Sequence, residues 1–319
     1  MKKILTSKTF LASLSLLGLG ACAYAYACKE AFDYSIDFVT IDTTKLGDNK
    51  ALKSAYPAFK SLKILHISDL HLSRRESMKK LSFLQYITSQ DFDLVFLTGD
   101  IFEYDEATRY APYLLSKRPR LGAYAVLGNH DYYDYSMTNK ILGRIITSLR
   151  HPEKNRRNVE PLVAALERNG YCLMRNQVEN IIDEKLSILG IDFPGVKKSE
   201  MLTLADKVPA GFLKLALFHM PRDLDYYEAA GIDVGFAGHT HGGQVRIPGI
   251  GPLITDSELG RSEACGLVSR GKTRFHISRG LGSDPKTNFR FFCPPVASVI
   301  ELIYEPAAVY CPVADHADQ

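Results

Sequence analysis

Five short apolar runs in this chain each end on a side chain that can bind a cation or carry a proton. "LKILHIS" (residues 62–68) leads into Asp69 and His71, and "DLVFLTG" (93–99) leads into Asp100. "AYAVLGN" (123–129) delivers Asn129, His130 and Asp131. "LKLALFH" (213–219) ends on His219, and "DVGFAGH" (233–239) ends on His239 with His241 two residues on. A continuous apolar run of this length reads as a strand covered on both faces. "LSILGID" (186–192), "TRFHIS" (273–278) and "ASVIELIY" (297–304) are further strands of the same kind, and "YSIDFVTIDTT" (34–44) predicts one before the first core strand. Helical patterns fall between several of them, over residues 78–89, 107–116, 140–150, 161–168 and 222–230. The alternation predicts a layered α/β domain. In open α/β sheets the carboxyl ends of the strands are where sites are built.

Taken singly, each motif has an ordinary explanation. A Gly-Asp after a strand often caps a helix, and a lone strand-end histidine is commonly a structural hydrogen-bonding residue. Five such ends in one chain are not explained that way. Carboxylate, imidazole and amide oxygen, with no thiolate, suit divalent manganese, iron or zinc, and the set is no structural zinc knuckle. Two ions can share one short, rigidly placed carboxylate. Asp100, at a strand end after a glycine, fits that role. In "FAGHTHGGQ" (236–244), glycines flank the paired histidines and let the backbone turn tightly and approach the site.

The series "DLH", "GD", "GNHD", a separate histidine and "GHTHGGQ" resembles the calcineurin-like metallophosphoesterases, with the motifs in family order from residue 62 to 244. The resemblance implies a four-layer α/β/β/α sandwich around a dinuclear metal site. It implies Asp69, His71 and His241 as ligands of one metal, Asp100 as the bridge, and Asn129, His219 and His239 as ligands of the other. It implies His130 as the catalytic acid, with Asp131 as its second-shell partner. The reaction so implied is phosphoester hydrolysis by in-line attack of a hydroxide held between two divalent ions, with manganese expected and iron or zinc as alternatives. A non-catalytic binding member of the fold would be signalled by lost ligands, and none is missing.

The N-terminus narrows the setting. After Lys2, Lys3 and Lys8, residues 9–28 run without a charge, enough for about 30 Å of helix. The segment reads as a membrane anchor over residues 1–28. "AYA" offers a signal-cleavage alternative and "LGAC" a loose lipobox. A catalytic domain is expected over 29–306 and a tail over 307–319. The expected place is the bacterial inner membrane. Three leading lysines favour an external body, whereas a nucleotide-linked substrate requires a cytoplasmic one. A net charge of +3 gives no case for nucleic acid, and no protein partner is expected. The six cysteines have no CxxC spacing, and the four outside the apolar N-terminal stretch read as free thiols.

Residues 137–158 combine an apolar helical stripe with Lys140, Arg144, Arg150, Lys154, Arg156 and Arg157. They read either as a core-packed helix with a solvated basic face or as a lid for a lipid substrate. The apolar N-terminal segment, the "GHTHGGQ" form and "SRGLG…FRFFCPP" (278–295) are most similar to the membrane-associated bacterial branch of the family. That branch includes UDP-2,3-diacylglucosamine pyrophosphatases of lipid A biosynthesis. The resemblance therefore implies a lipid-linked nucleotide substrate cleaved to UMP and a lipid 1-phosphate, with a general cell-envelope phosphoesterase as the alternative. Arg290 matches the branch. Pro294–Pro295, where relatives often carry Pro-Glu, departs from it.

Overall fold

A computed structural model of the chain describes residues 2–44, 60–135, 156–255, 257–283 and 288–304. The predicted helix at 140–150, the basic stretch up to residue 155, and the tail at 307–319 lie outside those residues.

Two six-stranded sheets pack face to face, and β10 (Arg246–Ile247) and β11 (Gly251–Pro252) form a separate two-stranded one. The first runs in the order β1 (Ser35–Asp42), β14 (Val296–Tyr304), β2 (Lys60–Ile67), β3 (Leu94–Thr98), β4 (Ala123–Val126) and β5 (Tyr171–Leu173). The second runs β12 (Gly266–Arg270), β13 (Thr273–Ile277), β9 (Val234–Ala237), β8 (Leu213–Leu217), β7 (Leu186–Gly190) and β6 (Gln177–Ile181). Strands β2 to β5 are mutually parallel, as are β7, β8, β9 and β13. Their carboxyl ends therefore lie along one rim of each sheet.

The apolar runs are continuous because both faces of each sheet are covered. Ile64, Phe96, Val126, Leu215, Phe236 and Ile300 fill the space between the sheets. The alternate residues, such as Leu65 and Leu97, face outward. There they meet α2 (Met78–Thr88), a 3₁₀ segment over Asp105–Leu114, and α4 (Glu160–Arg168). Behind the second sheet, Leu189, Phe218 and Phe275 pack on α5 (Lys198–Ala205) and α6 (Leu224–Ala229). The expected α/β/β/α layering is present. The 107–116 pattern forms 3₁₀ turns instead of an α-helix, and Pro112 inside it has no amide to donate. Helix α5 and the short strands β5, β6 and β12 had no sequence expectation.

The N-terminal segment is one helix, α1 (Lys2–Glu30). Over Phe10–Glu30 it is long and apolar enough to cross a membrane, and only 6% of its most apolar stretch is buried. Exposure ends abruptly at Ala27, which is buried along with Glu30 and Ala31. There the helix docks on the loop before β14. The amide of Arg290 donates to the Ala27 carbonyl at 3.0 Å, and the amide of Cys293 donates to Glu30 Oε2 at 3.2 Å. Tyr26 packs on Phe291 and Phe292, with ring centroids 5.6 and 5.5 Å away. Cys22, Cys28, Cys172, Cys265 and Cys293 are free thiols.

Candidate metal centre

The residues that end β2, β3, β4, β8 and β9 meet where the rims of the two sheets adjoin. Asp69 and His71 follow β2, and Asp100 follows β3. Asn129 and His130 open the one-turn helix α3 (Asn129–Tyr132) after β4, and His219 and His239 follow β8 and β9. Ligand atoms of Asp69, His71 and His241 lie within 4.8 Å of one another, as do those of Asp100, His219 and His239. Among the described residues these are two separate groups that could each hold a cation.

The backbone is strained where these side chains leave it. Asp69, His71, Asp100, His239 and His241 all have positive φ, between 45° and 71°. Such a conformation costs about 1–3 kcal/mol for a non-glycine residue and concentrates at functional sites. Close approach also requires glycine. A Cβ on Gly238 would sit 1.9 Å from Ser68 Oγ and 2.3 Å from Asp69 Oδ2, and one on Gly128 would sit 2.2 Å from Asp100 Oδ1.

Hydrogen bonding fixes which atoms face inward. His219 Nδ1 donates to the Thr98 carbonyl at 2.7 Å, so Nε2 presents a lone pair. That Nε2 meets Asn129 Oδ1 at 3.1 Å, His239 Nδ1 at 3.2 Å and Asp100 Oδ2 at 3.3 Å. His71 Nδ1 donates to Glu103 at 2.5 Å, so its Nε2 also faces inward as an acceptor. It lies 3.1 Å from His241 Nε2 and 3.7 Å from Asp100 Oδ2. Asp69 Oδ1 stands 3.7 Å from His241 Nε2. Acceptors converging on acceptors is the donor set of a cation site. Asp100 Oδ2 faces one histidine of each set.

Charge is arranged accordingly. Burial would raise the Asp100 carboxyl, but His219 and His130 hold it well below the usual carboxylate range. Burial would lower His219, but the Asp100 carboxylate lifts it to about 9, so without a cation in the cage the Nε2 lone pair takes a proton that an ion would displace. Burial, aided by His71 and Arg290, holds His241 well below the usual imidazole range, so it is neutral and ready to ligate.

Asp131 does not partner His130. Its carboxylate accepts from the backbone amides of Ile101, Phe102 and Gly128 at 2.9, 3.2 and 2.9 Å, tying the loops that carry Asp100 and Asn129 together. Neighbours on a helical turn project about 100° apart, so adjacency in sequence did not bring the two side chains together. The carboxylate beside the His130 ring is Glu103. Its Oε1 lies 2.9 Å from His130 Nδ1, out of line for a hydrogen bond, which leaves that nitrogen without one. Burial would raise Glu103, but His130 and His71 hold it well below the usual range. His71, Glu103 and His130 also cluster tightly. Since His71 Nδ1 already donates to Glu103, that cluster is a hydrogen-bonded support behind the cage, as metal-binding histidines commonly have.

Two arginines support the site from behind. Arg157 donates from Nη1 to the carbonyls of Phe102 at 2.7 Å and His130 at 3.0 Å, so it is a positioning residue and not part of a solvated basic face. Arg290 is fully buried and donates to the carbonyls of Arg279 at 2.8 Å, Cys293 at 3.1 Å and Gly282. Its Nη2 rests 3.3 Å from His241 Nδ1. Carbonyls already take the protons of that nitrogen, so the contact packs the ring in place.

Comparison with known proteins agrees with this geometry. The calcineurin-like phosphoesterase family model matches residues 62–243. The uncharacterized metallophosphoesterase YkoQ of Bacillus subtilis is 28% identical over 281 residues, 86% of this chain and 92% of its own length. The UDP-2,3-diacylglucosamine pyrophosphatase LpxG of Chlamydia muridarum is 27% identical over 283 residues, 77% of this chain and 84% of its own. The phosphodiesterase YaeI of Escherichia coli is 26% identical over 249 residues, 76% of this chain and 82% of its own. The whole acceptor cage, from Asp69 to His241, falls inside the span that the family model matches, and the chain belongs to the calcineurin-like phosphoesterases.

Proposed function

We propose that this phosphoesterase hydrolyses UDP-2,3-diacylglucosamine to UMP and 2,3-diacylglucosamine 1-phosphate, a step of lipid A biosynthesis. The observation that carries the reading is the LpxG similarity, which spans 77% of the chain. The apolar helix α1, docked on the loop behind His241, is consistent with a lipid substrate. We assign Asp69, His71 and His241 to one divalent ion, Asn129, His219 and His239 to a second, and Asp100 to both. Manganese is the proposed metal. Ions held there would neutralise phosphoryl charge and make water nucleophilic at neutral pH.

The residues of the chain supply the rest. The water oxygen bonds to the α-phosphorus in line with the departing bridge, the bond to the bridging oxygen breaks, and that oxygen leaves on the lipid phosphate. His130, 13% exposed at the edge of the cage, is placed to give that oxygen a hydrogen bond or proton. Glu103 stands behind it to stabilise the charged ring. The membrane and the lipid-linked nucleotide are the only partners in this reading. The inner membrane is the proposed location, with the catalytic domain on the cytoplasmic side where the nucleotide resides.

The test is purified full-length protein with manganese and UDP-2,3-diacylglucosamine, scored by UMP release. Absent UMP beside rapid cleavage of an aryl phosphodiester would sink the lipid substrate and keep the phosphoesterase. Similarity to the E. coli phosphodiesterase favours that second outcome as the competing reading.

A further inference from the structure

A cleft of about 580 Å³ adjoins the cage, and its lining joins His71 to Ala31 and Phe32, the residues that directly follow α1. The loop between β2 and α2 forms much of its wall, with Arg74 and Arg75, and Leu281 also lines it. Most charges in this wall are already committed. Glu76 accepts from the Ser73 amide at 2.6 Å and pairs with Lys80 Nζ at 3.4 Å. Arg74 stacks over Tyr104 at 4.4 Å, with Glu106 3.5 Å from its Nε. Arg75 is exposed; its backbone carbonyl accepts from Ser73 Oγ at 2.9 Å, and its guanidinium has no hydrogen bond or ion pair among the described residues. The cleft therefore holds an uncommitted cation beside the cage.

The anchor role proposed for α1 sets the position of the cleft relative to a bilayer. Tyr24 and Tyr26 stand near the end of the apolar span, and Phe292, 46% exposed, packs against Tyr26. Aromatic residues at such a place mark the depth of the lipid headgroups. Ala31 and Phe32 lie about one and a half to two helical turns further along the chain. The mouth of the cleft is thus just outside the depth of the head groups, within reach of a head group whose acyl chains stay in the lipid.

We infer that this cleft takes the lipid-side phosphate of a diphosphate-linked amphiphile directly from the bilayer, and that Arg75 binds that phosphate. The inference rests on the function proposed above. Cleavage at the first phosphorus leaves the second phosphate on the lipid, so its binding group belongs between the cage and the foot of α1. Arg75 suits the role because a guanidinium meets phosphate oxygens bidentately.

The test uses full-length, manganese-loaded protein in mixed micelles, with 2,3-diacylglucosamine 1-phosphate as inhibitor of aryl phosphodiester hydrolysis. Each inhibition constant is taken against that variant's own uninhibited rate. The expected result is inhibition of the wild type and a rise of about tenfold or more in the constant for Arg75→Ala, as for loss of one charge-assisted hydrogen bond. Arg75→Lys should recover part of that loss. Glucosamine 1-phosphate, without acyl chains, should inhibit about tenfold more weakly than the acylated probe. Equal constants for wild type and Arg75→Ala, or no inhibition of the wild type, would overturn the role of Arg75. Equal inhibition by the chainless phosphate would overturn access from the bilayer. The probe is not the diphosphate substrate, so failure to release UMP would show separately and would count against the proposed substrate alone.

Discussion

Glu103 accepts a 2.5 Å hydrogen bond from Nδ1 of His71. The bond fixes the tautomer of His71, so that Nε2 turns a lone pair into the cage, and it places a buried negative charge beside His130 at the same time.

Glu103→Gln keeps the shape and removes that charge. Loss of such a supporting carboxylate should lower metal affinity or turnover by about 10–100-fold. Metal titration and kcat, measured together, check this. Wild-type values in both would remove Glu103 from the site.

His130→Ala should keep its metal and lose about 10²–10⁴ of turnover, the range for a general acid. Metal content and kcat of the same preparation separate the two properties. Full turnover in the variant would rule out His130 as the acid.

Arg290→Met should destabilise the chain. The guanidinium is fully buried and serves several carbonyls, and each buried group left unpaired costs about 1–3 kcal/mol. The loop it holds also receives the end of α1 through Ala27 and Glu30. Thermal unfolding should shift down by several degrees, with activity falling alongside. An unchanged unfolding temperature would contradict the buried network.

Stability should fall on acidification for a reason separate from the cage. His66 and His276 face each other between the sheets, Nδ1 to Nδ1 at 2.8 Å, both buried. Burial lowers His276 to about 4 and holds His66 well below the ordinary imidazole range. The unfolded chain, with imidazoles near about 6.5, takes up protons that the folded chain refuses. The stabilisation is therefore complete above about pH 6.5 and declines toward pH 4, by up to about 3 kcal/mol for His276 alone. Urea unfolding of metal-stripped protein in detergent, at pH 7 and pH 5, should show a smaller loss for His276→Gln than for wild type. Equal losses would show that the pair does not titrate in this way.

Much of this molecule was legible because each ligand sits at a strand end, where an apolar run gives way to a polar motif. The spacing of runs and motifs yielded the α/β layering, and the resemblance that the motifs carry supplied the proposed ligand sets. What stayed hidden depends on turns and on side-chain direction. Glu103 lies in "FEYDE", among three acidic residues that sequence does not distinguish, and only the turn after Asp100 brings it under His71 and His130. Asp131 looked like the partner of its neighbour, yet its carboxylate points back to the backbone amides of Ile101, Phe102 and Gly128. Arg157 read as part of a basic stretch, either a solvated face or a lid, but two carbonyl bonds draw it in behind His130. The docking of α1 joins residues more than two hundred positions apart, which no local pattern records.

The central claim is that the cage holds two divalent ions around Asp100. Its most direct test is the metal content of full-length protein after manganese loading, for wild type and Asp100→Asn, with aryl phosphodiesterase turnover measured on the same samples. The expected result is about two ions per chain in the wild type, and at most one in the variant with turnover largely lost. A fully active wild type with a single ion, or an Asp100→Asn protein that keeps both ions and its turnover, would contradict it.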